Sequence, residues 1–79
     1  MASTTPAADL VIAAIERHFR THANAADTAD GIRRFWLTGP MAQVSLATVE
    51  AALEEMVRTG RASRIQNLSG QAVYMAPRR

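Results

Sequence analysis

The sequence predicts a small α+β domain, mainly α: three helices followed by a C-terminal two-stranded β-hairpin. Three observations carry this. Leu46, Val49, Leu53, Met56 and Val57 recur at helical spacing, and the stripe stops at Gly60. Two short runs, Arg61 to Gln66 and Gln71 to Ala76, flank the turn sequence Asn67 to Gly70. Upstream, Val11, Ile15, His18, Phe19 and His22 share one helical face at about 100° per residue, with Ile12 on its edge.

Taken in order, residues 1–8 read as a flexible tail, because Pro6 and the small polar residues before it offer nothing to bury. Asp9 is placed to cap a first helix running from about Leu10 to His22. Glu16, Arg17 and Arg20 lie opposite its apolar face, and Asn24 with its alanine neighbours ends it. Asp27 or Thr28 caps a second, shorter helix reaching about Leu37, with Asp30 in the first turn. Ile32, Phe35 and Trp36 form its expected buried side, and Arg34 points outward. Gly31 lowers the stability of this helix or allows another backbone to come close. Gly39-Pro40 makes a loop of Leu37 to Gln43. Ser45 caps the third helix, from about Leu46 to Thr59, and Arg58 suits the dipole of its last turn. The domain spans residues 9–76, and residues 77–79 form a basic tail.

Seventy-nine residues bound this to one small domain that buries about 60% of its unfolded surface. Much of the apolar fraction is alanine, so the core has few large side chains, and a homodimer or protein partner is a candidate source of more. The absence of cysteine excludes disulfides and thiolate metal sites. No apolar run approaches the roughly 20 residues of a membrane span, and the first residues lack the basic start of a signal peptide, so a cytoplasmic location is expected. The formal net charge is +2, and every basic residue is arginine. Arginine suits phosphates and guanine edges, but a lysine-free chain rich in alanine and arginine also follows from GC-rich coding.

No catalytic constellation is present. Serines and threonines lack a His–acid pairing, there is no glycine-rich phosphate loop, and Glu54 and Glu55 point about 100° apart on a helix. The chain is therefore read as a non-enzyme without a cofactor. His18 and His22, one turn apart, have a metal-chelating spacing, with Asp27 a conceivable third ligand. Without an HExxH glutamate the expectation is that they pack along the apolar face, and no metal is assigned.

The order of a Ser-capped helix carrying Val49, Leu53 and Met56, then Gly60, a strand, a Gly-bearing turn and Tyr74, resembles the recognition helix and wing of a bacterial-type winged helix-turn-helix domain. The resemblance extends from about Leu10 to Met75. It departs from the simple motif in its long link, Leu37 to Val44, between second and third helices. The resemblance implies a small DNA-binding protein, a transcriptional regulator, with the third helix in the major groove and the wing on the backbone. Gln43, Ser45, Thr48 and Arg58 are then the candidate contacts of the helix, and Arg61, Arg64 and Asn67, with Gln66 and Gln71 nearby, those of the wing. Arg33, Arg34, Arg78 and Arg79 would extend the basic surface. Against this stands the outward face of the third helix, which carries Glu54 and Glu55 and no Arg, Asn or Gln in its first half. The alternative is a winged-helix protein-interaction module without DNA binding, using exposed parts of the first helix and Trp36. Leu10 and Ile12 are candidate dimer contacts.

Overall fold

The computed structural model describes residues 6–77. Helix α1 spans Pro6–Thr21, so it begins ahead of the expected Leu10. Proline is welcome in a first helical turn, where its missing N–H would have had no partner. Pro6 thus opens the helix instead of belonging to a tail. Asp9 falls inside the first turn, where its carboxylate meets the positive end of the helix dipole, and does not cap. The remainder of the expected tail, residues 1–5, and Arg78 and Arg79 lie outside the described residues.

After α1 comes a strand that the sequence did not announce, β1 at Ala26–Asp27. It pairs antiparallel with β3 (Ala72–Met75), Ala26 opposite Met75 and Asp27 opposite Tyr74. β2 (Ser63–Gln66) pairs with the other edge of β3, from Ser63 opposite Met75 to Gln66 opposite Ala72. The sheet is therefore three-stranded, in the order β1-β3-β2, rather than a two-stranded hairpin. A strand of two residues has no alternation to read. It exists because the backbone groups along the free edge of β3 need partners.

Thr28 caps α2, its Oγ1 accepting a hydrogen bond from the Gly31 amide at 3.1 Å. The helix is α-helical over Ala29–Gly31 and widens into a π-helical stretch at Ile32–Trp36. Each residue of a wider turn advances by less than the α-helical step of about 100°. That change carries Phe35 out of the buried face: it is 73% exposed, while Ile32 is buried and Trp36 half-buried. The expected burial of Phe35 fails for this reason. Gly31 does serve a close approach, but to a side chain and not a backbone. A Cβ built there would lie 2.1 Å from Asp27 Oδ1, the atom that accepts the Thr28 amide at 2.8 Å.

The link to α3 is not an irregular loop throughout, since Gly39–Gln43 forms a 3₁₀ turn. Helix α3 spans Leu46–Arg58. Its cap is Ser45, whose Oγ accepts the Thr48 amide at 3.1 Å. At its end, Gly60 takes φ +77°, the Arg61 amide donates to the Met56 carbonyl at 2.7 Å, and the Gly60 amide donates to that of Val57 at 3.2 Å. This paired arrangement is a Schellman ending, which terminates α3 and turns the chain toward β2.

The core lies where α1 crosses α3 and both meet the sheet. It joins Val11, Ile12, Ile15 and Phe19 of α1 to Ile32, Leu37, Val49, Ala52, Leu53, Met56, Ala62 and Tyr74. Leu46 stands at the margin, 37% exposed, and Val57 is half-buried. Ile12 is 5% exposed, so it is a core residue and not a candidate dimer contact. Leu10 remains 57% exposed. Among the described residues no helix is long and apolar enough to cross a membrane.

Candidate functional site

Two surfaces carry the residues singled out by sequence. The first lies between α3 and the β2–β3 hairpin. A shallow groove there is lined by Ala51, Glu54, Glu55, Val57, Arg58 and Arg64. Two of the expected DNA contacts, Arg58 and Arg64, meet in it, but with two carboxylates beside them. Arg58 is ion-paired with Glu55, one helical turn away. Arg64 is exposed and has no ion pair among the described residues.

The other candidates are dispersed or committed to the fold. Ser45 Oγ and Thr48 Oγ1 hydrogen-bond to each other at 2.9 Å while Ser45 also caps the helix. Gln43 is exposed at the end of the 3₁₀ turn. Arg61 turns toward α1, with Nη1 3.7 Å from Glu16 Oε2, and donates from Nε to Thr59 Oγ1 at 3.0 Å. Asn67 organises the hairpin turn: its Oδ1 accepts the amides of Ser69 and Gln71, each at 2.9 Å. Gln66 donates to the Gly70 carbonyl at 3.3 Å across the same turn. Arg33 and Arg34 both pair with Asp30, at 3.3 and 3.0 Å, so they do not add free positive charge to this face.

The second surface is a groove of about 500 Å³ between α1 and the 3₁₀ turn. Leu10, Ala13, Ala14 and Arg17 form one wall, Pro40 and Met41 the other, and Trp36 and His18 lie between them. Trp36 meets Phe19 edge-on, with ring centroids 5.7 Å apart, and lies nearly parallel to His18 at 4.1 Å. His18 in turn stacks on His22 at 4.5 Å. The histidines thus stack on each other and His18 on Trp36, but His22 is exposed just past the end of α1, so only His18 lies against the apolar side as expected. Thr21 Oγ1 lies 2.8 Å from His22 Nδ1. Burial, and then the neighbouring His22, lower the His18 pKa from its ordinary value. Among the described residues no group of three or more His, Cys, Asp or Glu could hold a metal ion.

No protein family, curated protein or solved structure matches this chain significantly.

Sequence reasoning named Leu10 and Trp36 but missed the groove that unites them. One signal was available. Leu10, Ala13, Ala14, Arg17 and Thr21 follow the i, i+3, i+4, i+7 rule, a second stripe on α1 beside the core stripe. The opposite wall had no comparable signal, since Gly39-Pro40 reads as a loop.

Proposed function

We propose that this chain is a winged helix-turn-helix domain that serves as a protein-interaction module. The order α1-β1-α2-α3-β2-β3 supports the fold, with a hairpin following the third helix and β1 completing the sheet. One observation carries the function: the outward side of α3 is acidic. Glu50 and Glu54 are exposed, Glu55 neutralises Arg58, and the polar pair Ser45–Thr48 is bonded to itself. Laid in a major groove, this helix would bring carboxylates toward phosphates, where favourable binding needs Lys or Arg. Exposed apolar surface is found at Leu10 and in the groove lined by Trp36 on the α1 side, and also at Phe35 and at Ile65 and Leu68 of the hairpin.

DNA binding, as a small transcriptional regulator acting through the third helix and wing, is the second reading. Exposed Arg64 on the hairpin favours it, since a cation there can reach a phosphate without reading sequence. Fluorescence anisotropy of labelled mixed-sequence duplex DNA, at low and physiological salt, separates the two. An interaction module leaves the duplex unbound even at low salt. Binding that collapses as salt rises, and that weakens for all sequences in Arg64→Ala, would replace this reading with the second.

A further inference from the structure

We propose that the groove between α1 and the 3₁₀ turn receives an acidic amphipathic helix of a partner protein, held by its apolar side chains against Leu10, Trp36 and Met41 and by its carboxylates against Arg17. This rests on the interaction-module reading and assigns it a surface and a partner chemistry.

The charge of the groove points to the sign of the partner. Among the described residues its lining holds Arg17 and His18 and no carboxylate. Arg17 is exposed and has no ion pair among the described residues, whereas Arg33, Arg34, Arg58 and Arg61 each have a carboxylate partner. Arg20, on the next turn of α1, lines a different groove with Glu16 and Arg61 and adds nothing to this one. Complementary charge steers encounter and selects partners, so a segment rich in Asp and Glu is favoured over a basic one.

The walls point to the shape. Both are helical, α1 on one side and the 3₁₀ turn on the other, so their backbone groups are largely committed within their own turns. No strand lines the groove, and an extended peptide would find no ladder to join. A helix inserting side chains at i, i+3, i+4 and i+7 uses such a groove without needing backbone partners. Half-buried Trp36 supplies the aromatic floor that anchors of this kind favour.

Trp36 is the only tryptophan of the chain and reports on the groove directly. The test titrates the full chain with a tryptophan-free helical peptide of about 14 residues, leucines at i, i+3, i+4 and i+7 and glutamates between them. A shift in Trp36 emission with a dissociation constant of roughly 10–100 μM is expected. A peptide of the same composition with the leucine order scrambled, and one with lysine for glutamate, should bind at least about tenfold more weakly. Leu10→Asp should abolish binding, and Arg17→Glu should weaken the glutamate peptide about fivefold and strengthen the lysine peptide. Both positions are exposed, so an unchanged circular dichroism spectrum confirms that the fold survives.

No emission change up to about 1 mM peptide, or equal affinity for the ordered and scrambled peptides, overturns the proposal. So does sedimentation showing a dimer that Leu10→Asp dissociates, since the groove would then belong to a second copy of this chain. If the peptide fails while the duplex is also unbound, only this assignment falls. If the duplex binds, the interaction-module reading itself falls.

Discussion

The α3–hairpin half and the α1–α2 half of this molecule are built by different means. The first follows local rules. Ser45 caps, the stripe of Val49, Leu53 and Met56 buries, Gly60 ends the helix, and Asn67 shapes the turn. Its arginines are offset by nearby carboxylates, with Arg64 the exception. The second half depends more on side-chain contacts: the Asp27 carboxylate over Gly31 four residues on, and a ring stack from His22 through His18 that reaches Trp36 across to the second helix, which widens to π-helical pitch. There Arg17 and Arg20 have no ion pair among the described residues. The comparison teaches that an arginine count does not locate a binding surface. Exposed ion pairs are individually weak, but the carboxylates still cancel the local field that would draw an anionic partner.

The sharpest way to break this contrast is Gly31→Ala. In an ordinary helix interior the change would stabilise by about 0.5–1 kcal/mol, because glycine has more backbone freedom to lose. Gly31 has φ −63° and ψ −42°, so its backbone accepts alanine. Here the new methyl meets the carboxylate of Asp27 and must displace it from the Thr28 amide. Overpacking and the lost hydrogen bond together should outweigh the gain, leaving a net destabilisation of about 1–3 kcal/mol in urea unfolding. In an Asp27→Ala background the sign should reverse, and Gly31→Ala should stabilise. Destabilisation of equal size in both backgrounds would mean that the contact between these residues is not what constrains the position.

On the other half, Gly60→Ala should cost about 1–2 kcal/mol, measured in the same way, since it places a Cβ in the left-handed region at φ +77°. Space is open around the position, so no second substitution should rescue it. That difference, rescue at Gly31 and none at Gly60, separates a side-chain contact from a backbone rule.

A smaller effect should appear with pH on the α1–α2 side. The His18 pKa is lowered in the folded chain by burial first and by His22 second. The fold therefore prefers neutral His18. The stability this contributes is fully present above the unfolded histidine value near 6.5 and is lost as pH falls through the lower folded value. The charged and titratable groups around the ring are Arg17 of α1 and His22 just after it; Trp36, Pro40 and Met41 on the facing elements carry none. Tm followed by circular dichroism should fall across that acid window, and the fall should shrink in His18→Gln. An identical profile in the variant would assign the acid sensitivity to other groups.

What was legible in the sequence divides along the same line. The third helix, its cap and its Gly ending follow from residues within a few positions of one another, and the sequence reading placed them closely. The hairpin strands were placed to within a residue or two. The start of α1 was misplaced because Pro6 was read as a tail residue, when proline also opens helices. Strand β1 was illegible because two residues carry no pattern, and its partner is β3, far along the chain. The groove was half legible. Its α1 wall is a readable stripe, but its far wall depends on how the 3₁₀ turn folds back beside Trp36, which is a tertiary fact.

The smallest expected effect concerns Phe35 and tests why the second helix was misread. On an α-helix, Phe35 and Trp36 lie three and four positions beyond buried Ile32, so both would flank the core. The π-helical widening leaves Trp36 near that face and moves Phe35 into solvent. Phe35→Ser should therefore change stability by no more than about 0.5 kcal/mol in urea unfolding, the range of a surface substitution. A buried phenylalanine cut back this far would cost about 3–5 kcal/mol. A loss of that size would mean that Phe35 packs inward and that the helix keeps its α-helical pitch to the end. The pitch that sets Trp36 against His18 in the groove would then have to be redrawn. A single exposed side chain thus links the pitch of one short helix to the surface on which the partner proposal stands.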